Sequence, residues 1–320
     1  MTRAFIFPGQ GSQAVGMGKS LAEAFGAARD VFAEVDDALS QKLSRLMWEG
    51  PESDLTLTQN AQPAIMAASM AIIRVLEKEG RFDVARHARL VAGHSLGEYS
   101  ALAAAGAFTL SDAARLLRIR GIAMQEAVPV GVGAMSALLG AEIGQAEEAA
   151  KEAVASAPPE EKNPVCVVAN DNAPGQVVIS GTREAVARAG EIAKSKGVKR
   201  AMALAVSAPF HCPLMQPAAD KMREALGAVT IRPPAAPLVA NVTGGEISEP
   251  ETIRRLLVEQ VTARVRWRES VLRFRGLGVE TTVEAGGAKV LTGMVKRIDK
   301  DLQTITLDTP ADIETFAKSL

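Results

Sequence analysis

The decapeptide Leu90-Val91-Ala92-Gly93-His94-Ser95-Leu96-Gly97-Glu98-Tyr99 constrains this chain more than any other stretch. An apolar run leads into Gly-x-Ser-x-Gly, and a helical stretch over 99–105 follows at once. That context is a strand turning sharply into a helix, the setting of a nucleophile elbow. The two glycines permit the turn without a Cβ clash, and Ser95 is pushed up at the positive N-terminus of the helix. The amide of Leu96 then points toward an oxyanion formed when Ser95 attacks a carbonyl. A serine acyl-enzyme is the reading these residues favour.

Around this turn, short β-rich runs alternate with alanine-rich helical patterns. Strands are expected over 4–7, 90–92, 238–242 and 281–284, with helices near 19–33, 61–80, 99–106, 111–127 and 213–226. The alternation predicts an α/β fold whose mostly parallel sheet is covered by helices. The middle of the chain differs. Strands over 134–139, 165–169, 176–180 and 200–204 and helices over 142–156 and 182–196 give a β-α-β-β-α-β order, with a turn at Asn172-Ala173-Pro174-Gly175. That order is ferredoxin-like. Gly131-Val132-Gly133 and Ser207-Ala208-Pro209 flank it as hinges. The expected organisation is a large α/β-hydrolase-like domain from 1–130 and 205–320, interrupted by a ferredoxin-like subdomain at 131–204.

Composition narrows the function classes. The 320 residues are 48% hydrophobic and 23% charged with a net charge of -1, an ordinary globular balance with no basic excess for nucleic acid. No apolar run reaches the 18 residues of a membrane span, and residues 1–9 lack the apolar stretch of a secretory signal. Two cysteines, Cys166 and Cys212, make no disulfide framework, which fits a reducing cytoplasm. Three histidines, with no His-Glu-x-x-His and no paired cysteines, give no metal-site pattern. Gly9-Gln10-Gly11-Ser12-Gln13-Ala14 imitates a dinucleotide fingerprint, but Asp30 and Glu34 fall within a helical pattern where a second strand should end. Gly16-Met17-Gly18-Lys19-Ser20 ends like a P-loop, yet Gln13 stands where its first glycine should be.

A serine nucleophile needs a base within hydrogen-bond reach. His94 is adjacent to Ser95 and points elsewhere at a sharp turn, so a structural or pocket-orienting role suits it better. His211, in Val206-Ser207-Ala208-Pro209-Phe210-His211-Cys212-Pro213, lies in a loop between strand and helix. Loops of that kind position functional groups, while a helix-capping or core histidine is the alternative. Asp171 is the nearest acid between serine and histidine, and it falls in the inserted segment; a Ser-His dyad fits better than a triad. Arg120 shares a helical face with Ala113, Leu116, Ala123, Met124 and Ala127. A guanidinium on an apolar face needs an anionic partner, either a structural carboxylate or the carboxylate of a substrate.

At these residues the chain resembles the malonyl-CoA:acyl-carrier-protein transacylases of dissociated fatty acid synthesis. Matching stretches run through nearly the whole length: Phe7-Pro8-Gly9-Gln10-Gly11-Ser12-Gln13, Gln62-Pro63-Ala64, the elbow itself, Arg120-Gly121 with Met124-Gln125-Glu126-Ala127, Asn172-Ala173-Pro174-Gly175-Gln176-Val177, Phe210-His211 and Lys289-Val290-Leu291-Thr292-Gly293. The resemblance implies that Ser95 carries the acyl ester and that His211 is general base and then acid for the CoA thiol. It implies that the Gln260 carbonyl orients His211, and that the Gln10 and Leu96 amides form the oxyanion hole. Arg120 would pair with the free malonyl carboxylate. Phe210 would favour malonyl over branched units, and Gln62, Asn172, His94 and Met124 would line the pocket. Glu284-Ala285-Gly286-Gly287-Ala288 stands where many relatives have a Gly-Pro-Gly turn.

The resemblance further implies malonyl-CoA as donor and an acidic acyl carrier protein as acceptor, with no cofactor of the enzyme's own because the partner carries the phosphopantetheine. A monomer is expected. Residues 254–297 hold ten basic groups against four acids, a candidate docking surface that solvated helix faces would also explain. Two other classes use the same residues differently. A hydrolase would release free acid by the same Ser95 and His211, and a carrier-protein-binding subunit would never acylate.

Overall fold

The computed structural model describes residues 2–206, 208–287 and 289–320. Ser207 of the second expected hinge and Ala288 of the loop after 281–284 lie outside the described residues. Among the described residues ten strands occur in chain order: β1 (Arg3–Phe7), β2 (Leu90–Gly93), β3 (Gly133–Leu139), β4 (Cys166–Ala173), β5 (Gln176–Thr182), β6 (Arg200–Ala203), β7 (Leu238–Val239), β8 (Glu246–Ile247), β9 (Thr281–Ala285) and β10 (Gln303–Leu307).

Six strands form one sheet in the order β10-β9-β1-β2-β7-β8, parallel except for β8 at one edge. Its inner strands β9, β1, β2 and β7 are buried on both faces, as a parallel sheet covered by helices requires. In β1 the alternation separates two layers: Phe5 and Phe7 join the larger core, whereas Ala4 and Ile6 join a cluster with Trp267 and Phe274. The helix Thr58–Glu79 lies in the larger core and is apolar nearly all round, with an unbroken buried run from Asn60 to Ile73.

The middle of the chain builds a second sheet, ordered β4-β5-β3-β6 and antiparallel throughout. The helices Ile143–Ala155 and Arg183–Ser195 pack on it around a separate core containing Leu138, Ala149, Ile179 and Ala189. Backbone bonds between the Val265 segment and β4 join this unit to the rest: Asp171 N donates to Val265 O (3.0 Å) and Val265 N to Ala169 O (2.8 Å). Arg264 and Arg268 reach Glu147 and Glu142 across the same seam, at 2.5 and 3.0 Å.

Several boundaries differ from expectation for local reasons. The turn expected over 172–175 shrinks to Pro174-Gly175, because Ala173 still pairs with Gln176 and Gly175 takes φ 70°. Asn172 therefore sits within β4. The strand expected over 238–242 ends at Val239, since Ala240 turns into a bend closed by the Gly244 N to Ala240 O bond of 2.8 Å. The helix expected over 19–33 breaks at Phe25, whose extended backbone separates Lys19–Ala24 from Gly26–Leu39. Helices Pro250–Gln260, Trp267–Gly276 and Val290–Ile298 complete the covering of the large sheet and stand where no element was expected. Among the described residues no helix is long and apolar enough to cross a membrane.

Candidate active site

The site lies at the carboxyl ends of the parallel strands, where α/β sheets place their ligands. Between β2 and the helix Gly97–Ala104, Ser95 adopts φ 54°, a left-handed conformation that costs a non-glycine residue on the order of 1–3 kcal/mol. The flanking glycines have a steric cause. A Cβ on Gly97 would stand 2.2 Å from the carbonyl oxygen of Phe7 in β1. Asn241, just past β7, secures the turn: Ser95 N donates to its Oδ1 (2.7 Å), and its Nδ2 donates to Gly93 O (2.7 Å). Sequence reasoning passed over Asn241. Its signal was a lone amide at the carboxyl end of an apolar strand.

Ser95 Oγ lies 2.8 Å from His211 Nε2. On the other side of the ring, His211 Nδ1–H donates to the main-chain oxygen of Gln260 at 2.9 Å. That carbonyl can only accept, so it fixes the tautomer and leaves the Nε2 lone pair facing the serine. Asp171 takes no part: a backbone carbonyl occupies the place of a triad acid. Burial, and next the nearby Arg120 guanidinium, hold the imidazole well below its ordinary range, at about 3. An imidazole accepts a proton only when neutral, and the depressed value keeps His211 neutral across the physiological range. Acylation of Ser95 by an uncharged activated ester should therefore persist well below pH 6.5 and decline only on further acidification; an acid limb centred at 6.5 or higher in the pH–rate profile would contradict this.

Arg120 is 1% exposed. Its Nη1 donates to Gln62 Oε1 (2.8 Å), and its Nη2 donates to both Gln260 Oε1 (2.8 Å) and Ser95 Oγ (3.0 Å). Among the described residues no carboxylate lies within ion-pair distance of it. A buried guanidinium held by two amides and open toward the nucleophile is thus not half of a direct structural ion pair. Its approach to Gln62 depends on Gly121, where a Cβ would sit 2.6 Å from Gln59 Cα in the neighbouring helix.

A cavity of about 310 Å³ opens over Ser95, and it is lined by ten of the eleven residues singled out from the sequence: Gln10, Gln62, His94, Ser95, Leu96, Arg120, Met124, Asn172, Phe210 and His211. Gln260 lies beneath them, 0% exposed. Among the described residues the amides of Gln10 and Leu96 have no hydrogen-bond acceptor. His94 Nε2 meets Asn172 Oδ1 at 2.8 Å across the gap between the two sheets, and burial lowers its pKa. The ring nitrogen that meets Ser95 Oγ is that of His211, and His94 Nε2 is taken up by Asn172. Glu98, 2% exposed and unforeseen, accepts from Asn241 N (2.6 Å) and from Gln260 Nε2; burial pushes its carboxyl up to about 8.

A serine, a neutral imidazole and a buried guanidinium around one cavity can form and discharge a serine ester of an anionic acyl group. The family model described as acyl transferase domain matches residues 4–307. The malonyl CoA-acyl carrier protein transacylase of Bacillus subtilis (strain 168) is 46% identical over 317 residues, covering 99% of this chain and 96% of that protein. The crystal structure of an acyl-carrier-protein-S-malonyltransferase from Bartonella henselae superposes with a TM-score of 0.95 at 54% identity, covering 100% and 99% of the two chains. A malonyl-transacylase in complex with a type II PKS acyl-carrier protein gives 0.94 at 42% identity, over 100% of both. With a matching family model over nearly its whole length and an acyl-transfer site at the end of its parallel strands, the chain belongs to the acyl transferase family, beside the malonyl CoA-acyl carrier protein transacylases, and is an acyltransferase.

Proposed function

We propose that the protein moves a malonyl group from malonyl-CoA to the phosphopantetheine thiol of an acyl carrier protein through a malonyl ester on Ser95, supplying extender units for fatty acid synthesis. The observation that carries this reading is Arg120: a buried cation without a carboxylate partner, 3.0 Å from the nucleophile, suits an acyl group ending in a carboxylate. In the first half-reaction the Ser95 Oγ–H proton passes to His211 Nε2 as Oγ bonds to the thioester carbon. The oxyanion is held by the Gln10 and Leu96 amides. The C–S bond then breaks, and Nε2 returns the proton to the departing CoA thiolate. The carrier thiol repeats these steps in the other direction. Phe210 bounds the space beside the acyl chain, and Gln62, Met124, Asn172 and His94 shape the rest.

The four-stranded unit over 131–204 is read as a ferredoxin-like insertion into an α/β-hydrolase-like domain, roofing the pocket. The basic stretch 254–297 is a narrower docking candidate than its composition suggested. Arg254, Arg255, Arg264, Arg266, Arg268 and Arg275 are ion-paired within the protein, and Arg297 holds the Pro174 carbonyl and Gln176. Exposed Arg273 and Lys296 form no ion pair among the described residues, and exposed Lys289 faces only Asp312; these three are the groups proposed to meet an acidic carrier.

Steady CoA release from malonyl-CoA, measured with and without carrier protein, tests the proposal. It should be slow with water alone and fast with the carrier, and at subsaturating carrier it should fall as salt rises. Release that is equally fast without carrier would make the protein a hydrolase, and salt-independent transfer would remove the basic dock.

A further inference from the structure

Glu98 is a buried carboxyl that the steps above do not use. It stands on the first turn of the helix that follows the nucleophile, and both its oxygens are taken. Oε1 accepts from Asn241 N, the residue that clasps the elbow, and Oε2 accepts from Gln260 Nε2. The orientation of the Gln260 amide is not free. Arg120 can only donate, so the Gln260 oxygen must face Arg120 and its nitrogen must face Glu98 and Ser95 O (2.9 Å). The main chain of the same residue receives His211. One glutamine therefore joins the carboxyl to the guanidinium, the nucleophile's backbone and the base. The charged or titratable groups that act on Glu98 are Arg120 and Tyr99.

We propose that Glu98 is a positioning residue that acts through Gln260: it holds the Gln260 amide in the sense that presents oxygen to Arg120, leaving the guanidinium face toward Ser95 open for an anionic acyl group. A carboxylate in direct contact with Arg120 would compete with the substrate for that face; one relayed through a neutral amide does not. This inference rests on the malonyl reading of the site.

The isosteric change Glu98→Gln isolates the effect. Both oxygens of Glu98 face donors, so an amide there sets N–H against N–H and forces Gln260 to turn or Asn241 to lose its acceptor. The measurement is kcat/KM for Ser95 acylation by malonyl-CoA and by acetyl-CoA, in wild type, Glu98→Gln, Gln260→Ala and the double variant, with thermal midpoints. The expected result is a malonyl-to-acetyl preference lowered about 10-fold by Glu98→Gln in the wild-type background and left unchanged by it in the Gln260→Ala background. A folded Glu98→Gln protein with the wild-type preference overturns the proposal, as does an equal loss in both backgrounds.

Should Glu98→Gln fail to fold, carbon-13 labelling of the glutamate carboxyls in the wild-type protein gives the answer. A malonyl ester on Ser95 should shift the Glu98 carboxyl signal further up, because a second anion then shares Arg120, and an acetyl ester should not; Glu284, the other glutamate that burial pushes up, serves as the internal control. Identical midpoints in the two acyl-enzymes would overturn the relay. Wild-type protein that takes neither acyl group onto Ser95 would instead bring down the malonyl reading, and this inference with it.

Discussion

Replacing Ser95 with alanine should abolish the acyl-enzyme and lower transfer by about 10⁶-fold while leaving the fold intact. The magnitude follows from the unit that the dyad forms, since removing the nucleophile of a serine enzyme costs about as much as removing its whole machinery. The fold should survive because the elbow is held by other groups. Asn241 binds the Ser95 backbone and Gly93 O, not the Ser95 hydroxyl, and the glycines clear Phe7 and the following helix. Alanine also adopts φ 54° at no greater cost than serine. Single-turnover CoA release, with a thermal melt as control, reads both halves of this expectation. A variant that retained even a hundredth of the wild-type rate would mean that acyl transfer proceeds without Ser95.

The second large effect is expected at Arg120. Truncation to alanine removes the buried cation that the anionic acyl group would meet, a loss of about 2–5 kcal/mol, or roughly 30- to 4,000-fold in kcat/KM for malonyl-CoA. Acetyl-CoA lacks that carboxylate and leaves the guanidinium unpaired in the wild-type site, so the same change should improve its relative standing. The preference between the two substrates should narrow sharply or invert. Equal losses for both would assign Arg120 to holding Ser95 Oγ and Gln260 alone, and would remove the carboxylate clamp from the account.

Much of the site was legible in the sequence because its chemistry is concentrated at local turns. Gly93, Ser95 and Gly97 specify the elbow by sterics within five residues, and Arg120 declared itself by interrupting an apolar helical face. What lay between distant segments was less visible. Asn241 and Glu98 meet only when β7 is placed beside β2, a pairing no local pattern encodes. Gln260 was reached through resemblance for its carbonyl, yet its side chain, which binds Arg120 and Glu98, had no signal in its own neighbourhood. The fold divides similarly. Strands buried on both faces, such as β1 and β2, stood out as apolar runs, whereas β10, with a half-exposed pattern at the edge of the sheet, and the arginine-rich helix Trp267–Gly276 did not. The basic stretch shows the limit of composition: its excess charge was legible, but its ion pairs to Glu142 and Glu147 depended on how the four-stranded antiparallel unit packs against it.

The proposed reaction turns on a malonyl ester on Ser95 that moves to a carrier thiol. Its most direct test is the intact mass of the protein after brief exposure to malonyl-CoA, with peptide mapping, followed by a chase with phosphopantetheinylated carrier protein. One malonyl adduct per chain is expected on the peptide containing Ser95, absent from Ser95→Ala and transferred to the carrier during the chase. A folded protein that forms no adduct, or one whose adduct maps elsewhere, would contradict it.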